Sequence, residues 1–236
     1  MTEVSRAEHC VIACMLSLHD AGEILVSPFG VIPPIAARLA KQSGFAPDIV
    51  LTDGEARALT PDGAVESWFP FRFVFDLLSS GRRHVIMMPV QIDRFGNMNL
   101  SSIGPHERPK TQVIGSRGAP GNTINHATSY WVPRHTPRTF VEKVDFVSGV
   151  GHDRGVRSFA TYVISNLGVC DFGGPDDSMR IRVLHPGVTV DEMQDNTGFE
   201  LAVADDVHET RDPTPDELRL IREVIDPDGR RNAEVP

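Results

Sequence analysis

Lysine is almost missing from this 236-residue chain: of its 23 basic residues only Lys41, Lys110 and Lys143 are lysine. Positive charge is therefore nearly all guanidinium, which codon bias in a GC-rich genome explains as well as a need for phosphate-binding forks does. With a formal net charge of −9, the basic face of a nucleic-acid binder is not expected, and only local arginine pockets stay open. Cysteine is scarce too. Cys10, Cys14 and Cys170 are an odd number, which argues against a disulfide framework. The opening "MTEVSRAEHC" lacks the basic-then-apolar build of a signal peptide, so the expected compartment is the cytoplasm. No run approaches the roughly 18 apolar residues of a membrane helix, so no membrane partner is expected. Nor is there a G-x-S-x-G elbow, a Walker A loop or an H-E-x-x-H pair.

What is present fits a globular protein: 40% hydrophobic and 23% charged residues lie far from the composition of disordered chains. The length suits one domain over 1–236, with a polar C-terminal tail from about 226; no internal repeat or low-complexity linker divides it. Residues 5–19 carry a helical period, with Ser5 and Glu8 offering a capping box. Cys10 and Cys14 lie one turn apart there without further ligands, so core packing accounts for them and no metal is expected. "VIPPIAARLAKQSG" reads as a helix with Pro33 and Pro34 in its first turn and Gly44 past its end. "DIVLTD" reads as a buried strand. "VESWFPFRFVFDLLSSG" reads as one bent helix, interrupted by Pro70, and "RHVIMMPVQID" as an inner parallel strand covered on both faces. From there to Pro137 the text is loop-like and long for an idle connection. Strand-like "KVDFVSGV", "FATYVISNL" and "MRIRVLH" follow, then a short helix at "TVDEMQDN" and a final one at "TPDELRLIREVI", capped by Thr214 and Glu217. Strands alternating with helices predict an α/β domain with a mainly parallel sheet.

Three stretches invite chemistry. In "SGVGHDRG", Gly149, Gly151 and Gly155 resemble a dinucleotide fingerprint, but the third glycine falls one place late and no helix follows to meet a pyrophosphate. "GSRGAPGN", residues 115–122, packs three glycines and a proline into eight residues, a backbone able to approach a ligand and offer amide N–H groups to an oxyanion. "IVLTDGEARAL", residues 49–59, ends a strand with Asp53 and Glu55 around Gly54. An Asp-Gly turn needs no function, so the acids are either turn-formers or reagents.

"QIDRFGNMN" at 91–99, "GSRGAPGN" at 115–122, "RTFVEKVDFVSGVGH" at 138–152 and "LHPGVTVDEMQDNTGFEL" at 184–201 occur in this order. Together they resemble the β subunits of family I coenzyme A transferases, especially the glutaconate type. The resemblance implies an α/β fold of the CoA-transferase class, a mainly parallel sheet flanked by helices. It also implies an α subunit of related fold, an α2β2 assembly, and an active site between the subunits that takes acyl-CoA as substrate without a permanently bound cofactor. Within the glycine loop, Gly115, Ser116, Gly118, Ala119 and Asn122 become candidates for an oxyanion or CoA site, and Asp93 and Asn97 join them from the first stretch.

In that family a glutamate in a Ser-Glu-x-Gly loop attacks the acyl-CoA. Here the loop reads Thr52, Asp53, Gly54, Glu55. Asp53 is one methylene short, withdrawing the carboxylate by about an ångström, and a misplacement of that order costs roughly 100-fold in rate. Asp53 and Glu55 are thus weak catalytic candidates. The "LTDGEA" variant is similar to a narrower branch, CoA-dependent hydrolases with which steroid-degrading bacteria open a steroid-derived ring of a cyclic β-diketone-like acyl-CoA. That resemblance implies hydrolysis of a carbon–carbon bond in cholesterol or steroid catabolism, with the main base on the α subunit. A glutaconate- or 3-oxoacid-type transferase, and a non-catalytic subunit that only shapes the pocket, are the competing readings.

Overall fold

The computed structural model describes residues 3–54 and 56–235. The chain begins with α1 (Arg6–Leu16), β1 (Leu25–Pro28), α2 (Ile32–Gln42), β2 (Val50–Thr52), β3 (Arg57–Leu59) and β4 (Val65–Trp68). Next come α3 (Phe71–Ser80), β5 (Arg83–Met87), β6 (Gln91–Ile92), β7 (Met98–Asn99), β8 (Ser102–Ile103) and β9 (Thr111–Gln112). After them stand α4 (Ala119–Asn125), β10 (Ala127–Val132), β11 (Ala160–Ser165), β12 (Gly168–Asp171) and β13 (Arg180–Leu184). The last elements are α5 (Val190–Asp195), β14 (Ala202–Glu209), α6 (Pro215–Arg219) and α7 (Arg231–Glu234).

Ten strands form one sheet in the order β14-β13-β12-β11-β10-β5-β1-β2-β3-β4. The five middle strands, β11 to β2, run parallel, and antiparallel pairs β11–β12, β12–β13, β2–β3 and β3–β4 extend both margins. β5 explains the apolar run of its sequence. Ile86 faces one core with Cys10, Val11, Leu39 and Trp131, whereas Val85 and Met87 face the other with Ile92, Tyr130 and Phe140, so both faces are covered as an inner parallel strand requires.

α1 starts with the expected capping box: the Ser5 hydroxyl accepts from the Glu8 amide at 3.3 Å, and the Glu8 carboxylate accepts from the Ser5 amide at 2.9 Å. α2 has Pro33 and Pro34 in its first turn but no cap from its own N-terminal side chain. The cap comes from the far end of the chain. Glu234 accepts from the amides of Ile32 at 2.8 Å and Val31 at 3.0 Å and from the Trp131 indole at 3.1 Å. The polar stretch from Asp226 therefore lies docked, with Asp226, Arg231 and Val235 buried. Arg231 donates to both Asp226 and Glu8, and Arg222 donates to Glu8 as well.

Several sequence expectations are corrected. Residues 65–80 form a strand and a helix rather than one bent helix, because Pro70, without an amide and with its predecessor pushed out of the helical region, stands as the N-cap of α3. Its aromatics lie outside the core: Trp68 is 66% and Phe75 53% exposed. The loop-like region before Pro137 holds α4 and the inner strand β10, whose "TSYWV" is fully buried. "KVDFVSGV" forms no strand. Its Ser148 and Gly149 amides both go to the Met98 carbonyl, leaving a single bridge. β12 and β14 had no sequence expectation, and α6 continues as a π-helical stretch, Leu220–Ile225, before α7.

Candidate active site

Beyond the C-terminal ends of β1, β2 and β5, a cavity of about 450 Å3 opens at the point where the chain reverses its direction of travel across the sheet, the usual ligand position in open α/β sheets. Phe29 and Gly30 after β1, Gly54 and Ala56 after β2, and Met87 and Met88 at the end of β5 form one side. Ser116, Arg117, Gly118, Ala119 and Asn122 form the other, with Trp68, Phe69, Leu100 and Ile114 at the margins. The structure thus brings the Asp-Gly turn and the glycine loop, 60 residues apart in sequence, to one cleft.

Asp53 belongs to the turn and not to the cavity wall. Its Oδ1 accepts from the amides of Ala56 and Arg57, both at 3.0 Å, and its Oδ2 accepts from Arg57 Nε at 2.7 Å. That is an Asx-type turn locked by an ion pair. Gly54 follows at φ +86°, where a Cβ would lie 2.8 Å from the Pro28 carbonyl oxygen, so this position requires glycine. Glu55 lies outside the described residues. Among the described residues no Asp or Glu lines the cleft.

On the opposite wall, the amides of Ser116 and Gly118 donate to no acceptor among the described residues, and both residues line the cavity. Ser116 is held from behind by a file of hydroxyls. Its Oγ lies 3.0 Å from Ser101 Oγ, which lies 2.8 Å from Ser148 Oγ, and Ser148 accepts from the Leu100 amide at 2.9 Å. Unused amides beside an apolar wall are what a developing oxyanion needs. Gly115 begins the loop at φ +88° without lining the cavity.

Asp93 and Asn97 lie elsewhere, in the β6–β7 turn. The Asp93 carboxylate accepts from the Phe95 and Asn97 amides and from Asn97 Nδ2. Burial raises its pKa, against the pull of those hydrogen bonds. Asn97 Oδ1 in turn accepts from the Gly151 amide and from Arg154 Nε, both at 2.9 Å. A Cβ on Gly151 would fall 2.3 Å from the Phe95 carbonyl oxygen. Gly149 and Gly151 of "SGVGHDRG" therefore serve close packing, Gly155 stands in open space at φ +67°, and no helix follows them.

Arg83 was not among the sequence candidates. It opens β5 and is buried, 7% exposed, yet its side chain reaches the cleft. Nε donates to Ser27 Oγ at 2.9 Å and Nη1 to Asn122 Oδ1 at 3.1 Å. Burial lowers its pKa to about 10, so it stays cationic at neutral pH. The only sequence signal was a charge at the mouth of an otherwise apolar inner strand. Among the described residues no His/Cys/Asp/Glu group is placed to hold a metal, and no helix is long and apolar enough to cross a membrane.

Comparisons with known proteins agree with this geometry. A model of the coenzyme A transferase family matches residues 67–196. The chain is 53% identical over 248 residues to the cholesterol ring-cleaving hydrolase IpdB subunit of Rhodococcus jostii (strain RHA1), across 100% of this chain and 98% of that protein. It matches a chain of the crystal structure of Rhodococcus jostii RHA1 IpdAB with a TM-score of 0.94 at 52% identity, covering 100% of each. It also matches glutaconate coenzyme A-transferase from Acidaminococcus fermentans with a TM-score of 0.79 at 26% identity, covering 96% of each.

Proposed function

This chain belongs to the coenzyme A transferase family, and we propose that within it the chain is the β subunit of a heteromeric hydrolase that opens a steroid-derived ring of a cyclic β-diketone-like acyl-CoA. The observation that carries the reading is the commitment of Asp53 to its own turn, in a chain more than half identical to a ring-cleaving hydrolase subunit. A transferase nucleophile must reach the thioester carbonyl; the Asp53 carboxylate holds two amides and a guanidinium instead.

In this reading a base from the α subunit takes a proton from water, and the hydroxide adds to the ring ketone. The amides of Ser116 and Gly118 meet the oxyanion that forms. The ring carbon–carbon bond then breaks, its electron pair going to the thioester as an enolate that takes up a proton. The exposed apolar side chains around the cleft, Val65, Trp68, Phe73, Phe75 and Ile114, form the surface that the α subunit covers in an α2β2 assembly. The cytoplasm is the compartment, and the acyl-CoA is a substrate rather than a resident cofactor.

Borohydride reduction tests the chemistry. The co-expressed complex, treated with a cyclic β-diketone-like acyl-CoA and then with borohydride, should keep full activity and show no reduced carboxylate in this chain. A peptide carrying a reduced Asp53 or Glu55 would instead establish a covalent transferase. The isolated chain should turn over no acyl-CoA.

A further inference from the structure

We propose that β4 is where the α subunit adds a strand of its own, so that the two subunits share one continuous sheet. The inference rests on the heteromeric reading above and adds to it a main-chain mode of contact. β4 is the last strand of the ten-stranded sheet, and all four of its residues, Val65–Trp68, are exposed. Successive side chains of a strand point to opposite faces, so neither face of β4 is covered among the described residues. Its outer edge is bare as well. Arg57, opposite Trp68 on β3, gives its amide to Asp53 Oδ1 at 3.0 Å and accepts the Asp53 amide on its carbonyl at 3.1 Å. Both main-chain groups of Arg57 are thus turned away from β4, which makes Arg57 and Trp68 a pair without mutual hydrogen bonds. The Trp68 amide and carbonyl therefore point outward. The next amide, that of Phe69, points inward and donates to the Ala56 carbonyl at 2.6 Å.

The two margins of the sheet differ. On the far margin, Ile181 pairs with Val203 and Val183 with His208, so residues 204–207 bulge out of β14 and carry exposed Asp205 and Asp206. A bulge and charges blunt a free edge against strand addition. β4 carries one acid, Glu66, at a one-residue slip against β3 that leaves the Trp68 end regular. This open edge continues into the exposed Phe73 and Phe75 of α3, the apolar surface that the α subunit covers. A second copy of this chain fits worse. A two-fold axis across so short a strand sets Glu66 near its own copy, where like charges repel, and each chain carries a net charge of −9. Main-chain pairing also bears on the chemistry. Trp68 and Ala56 line the cleft, so a strand bonded at Trp68 fixes how far the α subunit's base stands from that wall.

Two measurements on the co-expressed complex test this. Hydrogen–deuterium exchange resolved to single amides compares Trp68 with Phe69. In a shared sheet the Trp68 amide should exchange as slowly as that of Phe69; a Trp68 amide exchanging like free backbone beside a protected Phe69 would overturn the proposal. The second measurement compares Trp68→Ala with Trp68→Pro. Both lose the indole, but only proline loses the outward N–H, which β3 does not use. On dilution, followed by native mass spectrometry, the Trp68→Pro complex should come apart at about 5- to 100-fold higher concentration than Trp68→Ala, the worth of a buried hydrogen bond left unmade. Equal dissociation of the two folded variants would sink the shared sheet. The exchange measurement needs no variant, so it decides alone should Trp68→Pro fail to fold. A slow Trp68 amide together with disulfide-linked pairs of this chain in Glu66→Cys would give the edge to a second copy and overturn the proposal. No complex at all would remove the heteromeric reading too, whereas a complex with a fast Trp68 amide removes only the shared sheet.

Discussion

Replacing Asp53 by asparagine keeps an oxygen for the Ala56 and Arg57 amides but discharges the ion pair with Arg57, whose side chain is half exposed. The expected loss is about 1 kcal/mol of stability, and in the reconstituted complex single-turnover ring opening should persist. Its abolition with the ester still bound would return the catalytic carboxylate to this subunit. Gly54→Ala should behave oppositely. The added methyl meets the Pro28 carbonyl at 2.8 Å in a left-handed backbone, a strain of roughly 1–3 kcal/mol that displaces the cleft wall, so both activity and thermal midpoint should fall. The sequence disclosed the pair as turn or reagent, since Asp-Gly is a turn signature with or without chemistry. It did not disclose Arg83, because periodicity places an arginine on a strand without saying what stands across from it.

At the scale of elements, the cleft depends on how α2 begins. Phe29 and Gly30 run from β1 into that helix, and its first amides are held by Glu234 rather than by a local side chain. Glu234→Gln should weaken this cap by about 1 kcal/mol. Deletion of residues 231–236 should cost more and also raise KM, read by thermal denaturation and steady-state kinetics on the complex; unchanged KM would show that the cap serves stability alone. The capping boxes of α1 and α6 were legible because both halves sit within four residues, Ser5 with Glu8 and Thr214 with Glu217. The cap of α2 was not, since its two halves are 202 residues apart. At 65–80 composition alone does not separate core from an apolar surface for Trp68 and Phe75, and only the fold places them on an outer strand and helix beside the cleft.

For the whole molecule, acid is the informative variable. Burial depresses His84 and His126 to about 4 and His135 and His185 to about 3, against 6.5 in the unfolded chain. Between those values the unfolded state binds more protons, so stability is complete above about pH 6.5 and falls as pH drops toward 4, by at most about 1.4 kcal/mol per pH unit for each histidine. Burial alone would raise the Glu8 pKa, but hydrogen bonds and ion pairs with Arg222 and Arg231 hold it at about 2, and its contribution is lost at still lower pH. The urea midpoint should therefore be level from pH 7 to 8 and drop from pH 6.5 to 4. A level midpoint down to pH 5 would mean that these histidines are charged in the fold.

The cap of α2 by Glu234 also has a meaning for biosynthesis. During translation, β1, α2 and β2 leave the ribosome long before residue 234 is made, so the start of α2 must wait with its amides turned to water while the 202 residues that separate Ile32 from Glu234 are added. A nascent chain arrested before residue 231 should be cut by protease near Phe29 and Gly30, and one extended past 236 by an unstructured linker should resist. The last helix thus acts as a latch that closes only once Glu234 has been made, and chains that stop short of it are born with an open cleft.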